Sequence, residues 1–219
     1  MKQTWGLIIA DPNEIHDSPL QFLKETKSGT TTFFHYQWND VEIITVESGI
    51  GIVNAAMMTQ KLIDIYQVEK VLNYGAVGAT DKLSLFDVVL PDKFYFHDVE
   101  TPWYPRGQTP GEQEFYTNSF KETSNINIAS GSSFIHKIDH LNNIKESLDV
   151  DLFDMESSAI AQVCLKNKTP FFVVKGVSDI INVTETEMQD INKNIATSSK
   201  KSFMKLISLF EEIQAHNKS

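Results

Sequence analysis

The sequence predicts an α/β fold: a single domain with a central mixed β-sheet flanked by helices. Three observations carry that prediction. Residues 171–177 are apolar except for Lys175 and Gly176, the signature of a strand buried on both faces of a sheet. Strand-like and helix-like stretches alternate along the chain. Thr31–Trp38 and Val41–Glu47, joined by Asn39-Asp40, read as a β-hairpin, so the sheet contains an antiparallel pair.

Taken in order, residues 4–10 form a first strand, broken by Asp11-Pro12, with a short helix expected from there to about residue 24. After the hairpin, Ser48-Gly49-Ile50-Gly51 makes a tight turn into a helix over residues 53–66, with Ala55, Ala56, Thr59, Leu62 and Ile63 mostly inward. Residues 70–74 are a strand, and 75–79 a glycine-bearing loop. Residues 86–90 and Lys93–Phe96 are further strands, separated by Pro91-Asp92. Residues 97–113 hold Pro102, Pro105, Pro110, Gly107 and Gly111, and a loop this long is usually functional or covers an interface. Then come a strand at 127–130, a short helix at 133–139, a helix at 154–166 and a strand ending at Asp179. The last helix spans 185–216, with Phe203, Leu206, Ile207, Phe210 and Ile213 as its apolar stripe. There is no repeat, linker or second domain.

Composition narrows the function classes. A chain of 219 residues with 41% apolar and 22% charged residues suits one globular domain with a substantial core. The net charge of −10 argues against a nucleic-acid surface, and Lys200, Lys201 and Lys205 read as the solvated face of a helix. Cys164, the only cysteine, reads as a core residue. No CxxC or HExxH pattern is present, so neither a metal nor another cofactor is expected. Residues 5–10 are too short for the core of a signal peptide, and no run reaches transmembrane length. A soluble, cytoplasmic protein without a membrane partner is expected.

Three places invite chemistry. Asp179 ends a buried strand, and in open α/β sheets ligands sit beyond the carboxyl ends of strands. Capping of the following helix is the competing reading. Gly49-Ile50-Gly51 follows a strand and opens a helix, but the third glycine of a dinucleotide fingerprint would fall at Asn54. The pattern therefore reads as a turn bringing backbone N–H groups near a ligand. Asp154 and Glu156 flank Met155 at the start of an apolar helix, where the helix dipole favours carboxylates; a merely charged first turn is the alternative. His97 and His136 read as structural or surface residues, and His35 as a plain strand residue.

In this order the pieces resemble the nucleoside phosphorylase/nucleosidase superfamily, and within it the 5'-methylthioadenosine/S-adenosylhomocysteine nucleosidases. The anchors are Ser48-Gly49-Ile50-Gly51 with Val53-Asn54-Ala55-Ala56, Asn73-Tyr74-Gly75-Ala76-Val77-Gly78, and His97-Asp98 leading to Gly107-Gln108 and Pro110-Gly111. Ser130-Gly131 with Phe134-Ile135, Asp154-Met155-Glu156, and Ser178-Asp179 complete them. The resemblance implies hydrolysis of the N-glycosidic bond of methylthioadenosine or adenosylhomocysteine, releasing adenine, by a homodimer. It further implies that Asp179, beside Ser178, protonates purine N7, and that Glu14 activates the attacking water. Met155 and Glu156 would hold the ribose. Phe134 would stack on the base, the Ile135 backbone would read its edge, and Val77 and Gly78 would line the pocket. Ile50 would form the 5' subsite, with Tyr104 and Pro110 reaching into it from the neighbouring subunit.

Such roles suit the residue types. An acid near N7 neutralises a poor leaving group, and burial keeps its proton. A carboxylate by the sugar stabilises a cation-like state. Phosphorylases in this superfamily resemble Gly-Asp-Pro with an arginine two residues after the proline; here the stretch is Ala10-Asp11-Pro12-Asn13-Glu14, and an acid in place of that arginine suits water over phosphate. Departures from the nucleosidases are Ala76 where relatives often carry a hydroxyl, Lys175 where they often carry arginine, and Asp11 where an apolar residue sits near the ribose. Arg106 reads as a surface residue. Alternatives are a purine nucleoside phosphorylase, a nucleosidase for another purine nucleoside, or a binding protein without turnover.

Overall fold

The computed structural model describes residues 3–11, 19–181 and 191–216. Among them are strands β1 (Gln3–Ile9), β2 (Gln21–Ser28), β3 (Thr31–Trp38), β4 (Val41–Glu47), β5 (Lys70–Ala79), β6 (Val88–Val89), β7 (Lys93–Phe96), β8 (Tyr116–Thr117), β9 (Ile128–Ser130), β10 (Leu152–Asp154) and β11 (Phe171–Ile180). The helices are α1 (Ile52–Tyr66), α2 (Ile138–Lys145), α3 (Ser157–Lys166), α4 (Ile191–Ser208) and α5 (Phe210–Ala215). No described helix is long and apolar enough to cross a membrane.

The strands join in one mixed sheet ordered β2-β3-β4-β1-β5-β10-β9-β7-β8, with β11 and then β6 branching from β5. β5 is the pivot. Its first residues pair with β1, up to Asn73 opposite Ile8. Its last, Gly78 and Ala79, pair with β10. Between them one edge of β5 loses its neighbour, while β11 runs parallel to β5 from Val71 to Ala79.

Both faces are covered, which explains the near-continuous apolar strands. Side chains alternate between two cores as the period of 2 dictates. Phe171, Val173 and Val177 of β11 pack with Leu62 of α1 and Ile160 and Cys164 of α3. Phe172 and Val174 pack on the other side with Phe203 and Leu206 of α4 and Phe210 and Ile213 of α5. Gly176 brings α4 close to the sheet, since a Cβ there would stand 2.3 Å from the Ser198 carbonyl oxygen. The buried Ser198 hydroxyl then donates to Val177 O at 2.7 Å.

The α/β class, the mixed sheet and the hairpin are as expected. Several boundaries are not. Residues 21–24 belong to β2, an exposed edge strand paired with β3, rather than to a helix. The predicted loop at 75–79 is the second half of β5, and of the strand expected at 86–90 only Val88–Val89 is extended. The short helix lies at Ile138–Lys145 instead of 133–139, and residues 152–154 form β10 before α3 starts at Ser157. The C-terminal helix breaks at Leu209; its predicted start at 185–190 lies outside the described residues.

Candidate active site

A cavity of about 120 Å³ opens where β1 and β10 part along β5. Ala10 and Asp11 reach it from the end of β1, and Ala76, Val77 and Gly78 from β5. Ser178 and Asp179 come from β11, Met155 and Glu156 from the β10–α3 junction, and Ile50 from the turn before α1. Phe134, about half exposed, completes the wall.

Asp179 owes its placement to an irregularity. Val177 pairs with Val77 but Asp179 pairs with Gly78, so Ser178 is the extra residue of a β-bulge. A bulge bends the strand and redirects the side chains that follow it. Asp179 is 6% exposed. Oδ1 accepts the Ser178 hydroxyl at 2.7 Å, whereas Oδ2 is buried without a hydrogen-bond partner among the described residues. Burial raises this carboxyl above its ordinary pKa, against a smaller downward pull from Ser178. Gly78 leaves it room: a Cβ there would come within 3.0 Å of Oδ2.

Asp154, on β10, has the opposite environment. It forms an ion pair with Lys175 at 3.0 Å, both side chains 3% exposed. It also accepts the Ser130 hydroxyl at 2.5 Å, the Ser157 hydroxyl, and the backbone N–H groups of Glu156 at 3.3 Å and Ser157 at 3.2 Å. Burial works to raise the Asp154 carboxyl, but Lys175 with the two hydroxyls outweighs it and holds the group below its usual range.

Glu156 occupies the N-cap of α3, yet its side chain does not cap that helix. Its Oε1 accepts the Gly51 N–H at 2.8 Å, and Oε2 the Met155 N–H at 3.2 Å. Gly51 has φ 105°, a left-handed conformation that favours glycine. The glycine turn thus delivers a backbone N–H to a carboxylate of the cavity wall.

Of the residues singled out from sequence, Asp179, Ser178, Glu156, Met155, Phe134, Val77, Gly78 and Ile50 share this cavity. Ile135 does not line it; its side chain is buried with Leu141, Ile144 and Phe153. Tyr104 and Pro110 are exposed on the 97–113 loop, away from this chain's own cavity. Glu14 lies outside the described residues. Asp11 and Ala76, noted only as departures, are in the wall, and sequence reasoning missed Phe153 and Ile195 there. It also missed the Asp154–Lys175 pair, although a lysine inside an apolar strand signals a buried partner. His97 is buried outside the cavity. His35 is more than a strand residue: it joins Glu42 at 2.7 Å to Thr26 at 2.8 Å, and Thr26 meets the Tyr66 hydroxyl of α1.

The family model described as "Phosphorylase superfamily" matches residues 4–211, nearly the whole chain, so the protein belongs to that superfamily. A 5'-methylthioadenosine/S-adenosylhomocysteine nucleosidase of Staphylococcus aureus is 30% identical, with 93% of this chain and 98% of that one covered. One from Hydrogenovibrio crunogenus is 34% identical over 74% of this chain and 78% of its own. The chain belongs to this nucleosidase family. Among solved structures, the Streptococcus pyogenes S-adenosylhomocysteine nucleosidase in complex with 5-methylthiotubericidin superposes with a TM-score of 0.85 at 26% identity, covering 96% of this chain and 97% of that one. The futalosine hydrolase of Helicobacter pylori superposes with a TM-score of 0.87 at 25% identity, covering 96% and 98%.

Proposed function

We propose that the chain hydrolyses the N-glycosidic bond of 5'-methylthioadenosine and S-adenosylhomocysteine, releasing adenine and a 5-thioribose product. The observation that carries this reading is the buried Asp179 carboxyl, one oxygen unpartnered among the described residues, on the wall it shares with Glu156. A carboxyl held protonated by burial is the group needed to give a proton to N7 as the purine departs. Glu156, held by two backbone N–H groups, puts a carboxylate beside the sugar, whose transition state is cation-like. Met155 packs with it against the ribose. Phe134 stacks on the base, with the Ile135 backbone at its edge and Val77 and Gly78 beneath. Glu14 activates the water. Ile50 forms the 5' subsite, which Tyr104 and Pro110 of a second copy complete in a cytoplasmic homodimer.

Water rather than phosphate is the acceptor in this reading. Among the described residues lining the cavity none is basic, while Asp11, Asp154, Glu156 and Asp179 are all acidic. Phosphate would meet like charge there. The test is adenine release from methylthioadenosine in phosphate-free buffer. Turnover there supports hydrolysis; an absolute phosphate requirement with a ribose-1-phosphate-type product overturns it.

Asp11 favours a second reading of the 5' side. A carboxylate in the wall near Ile50 suits a 5' group that donates a hydrogen bond more than it suits a thioether. Comparing adenosine, inosine and methylthioadenosine decides between the two: a higher kcat/KM for a free 5'-hydroxyl would displace the methylthio assignment while leaving the chemistry intact.

A further inference from the structure

We propose that Lys175 is a positioning residue for the sugar-binding carboxylate Glu156, an inference that rests on the functional reading above. Lys175 sits in the middle of β11, four residues before Asp179, with its side chain 3% exposed. A buried ion pair is a poor way to gain stability, because desolvation offsets most of the attraction and an apolar pair of similar volume does as well or better. The pair therefore calls for a reason beyond folding, and Asp154 supplies one. The carboxylate that holds the ammonium also gathers the N–H groups of Glu156 and Ser157. Those bonds fix the junction at which the chain leaves β10 and enters α3, where Glu156 has the non-helical angles φ −137° and ψ −44°. From there its side chain reaches the Gly51 N–H. The line of contacts runs from the Lys175 Nζ through Asp154 to the Glu156 backbone.

Charge adds a second effect. Glu156 at the start of α3 stands two residues from Asp154 on β10, with Asp179 on β11 and Asp11 after β1 in the same cavity wall. His97, at the end of β7, also senses Asp154. Two buried carboxylates this close compete for a proton unless a cation accompanies them. Lys175 is that cation. Its ammonium offsets the Asp154 charge, so the Glu156 carboxylate has less like charge beside it as it faces a developing positive charge on the sugar.

The test uses the full chain, with adenine release from methylthioadenosine read across pH 5 to 9 and thermal melting measured alongside. Lys175→Gln retains a donor for Asp154 but removes the charge. Its kcat falls by about 10²-fold, the cost of misplacing a reacting group by about 1 Å, with a much smaller change in KM. The acidic limb of its pH–kcat/KM profile moves to higher pH, and Lys175→Arg restores both the rate and the limb. Asp154→Asn keeps an acceptor for the two N–H groups and removes a negative charge two residues from Glu156, so its acidic limb moves the other way. These opposite displacements are something a purely structural pair would not give. A folded Lys175→Gln with unchanged kcat and limb overturns the inference. Should Lys175→Gln fail to melt cooperatively, an unmoved limb in Asp154→Asn overturns it equally. A wild-type protein that cleaves no purine nucleoside overturns the functional reading and this inference together, whereas an active wild type with unresponsive variants overturns the inference alone.

Discussion

Two aspartates reach one cavity from different strands, β11 and β10, and their surroundings push them in opposite directions. Asp179 is buried beside the Ser178 hydroxyl, keeps one oxygen unpartnered among the described residues, and is raised above its ordinary pKa. Asp154, its side chain buried too, has an ammonium, two hydroxyls and two backbone N–H groups, and is lowered. Burial acts on both in the same sense, so the number and charge of the partners decide the outcome. Burial favours the proton on one side of the site, and the partners favour the charge on the other. Acid catalysis with stabilisation of a sugar cation needs that division.

Removing each aspartate breaks the comparison from a different end. Asp179→Asn takes away the transferable proton and costs about 10²–10⁴ in kcat, the usual worth of a positioned acid. Its stability does not fall with it. A carboxyl whose pKa is raised on folding contributes most below its unfolded pKa and loses that contribution as pH rises through the folded value. At neutral pH the amide therefore melts at the same temperature as the wild type or above it. Activity of the wild type should fall over the same upward pH interval, as Asp179 loses its proton. A steep drop in melting temperature for Asp179→Asn would mean the carboxylate is a structural anchor instead.

Asp154→Ala should do the reverse. It leaves the Lys175 ammonium buried without its counter-charge, and breaking such a pair costs about 3–5 kcal/mol of stability. Because the Asp154 carboxyl is lowered on folding, its contribution is present above its unfolded pKa and fades as pH falls through the folded value. Chemical denaturation of wild type and variant at neutral and acidic pH checks this: the difference between them is large near pH 7 and narrows in acid. Equal stability at pH 7 would remove the contrast on which the reading of the two walls depends.

The contrast was only half legible in the sequence. The strand ending at Asp179 was readable because it is buried on both faces, and the glycine turn because Gly49 and Gly51 punctuate a strand-to-helix junction. β2 was not readable. Residues such as Gln21, Lys24 and Lys27 carry no apolar alternation, and the strand exists because β3 offers an edge to pair with. β10 was hidden by its brevity, three residues running straight into a helical pattern. The state of Asp179 was out of reach for a different reason. It depends on a bulge at Ser178 and on the space above Gly78, both properties of how β11 registers against β5 rather than of any local pattern. Lys175 declared its need for a partner, but only the sheet order brings β10 close enough to provide it.

Ser178→Ala is the smallest change and the finest test of the β11 wall. The Ser178 hydroxyl donates a hydrogen bond to Asp179 at 2.7 Å, and that bond favours the ionised form, pulling against burial. The same hydroxyl also lies 3.3 Å from the Val77 carbonyl, so it has an alternative acceptor when Asp179 is protonated. Removing it leaves burial unopposed, and the Asp179 carboxyl rises further. The alkaline limb of the pH–rate profile should therefore move to higher pH, with little change in the plateau rate because the proton donor itself is retained. A move to lower pH would show that Ser178 supports the protonated acid rather than the carboxylate. That would make the hydroxyl part of how the site stores its proton, and the simple opposition of a bare wall to a saturated one would no longer hold.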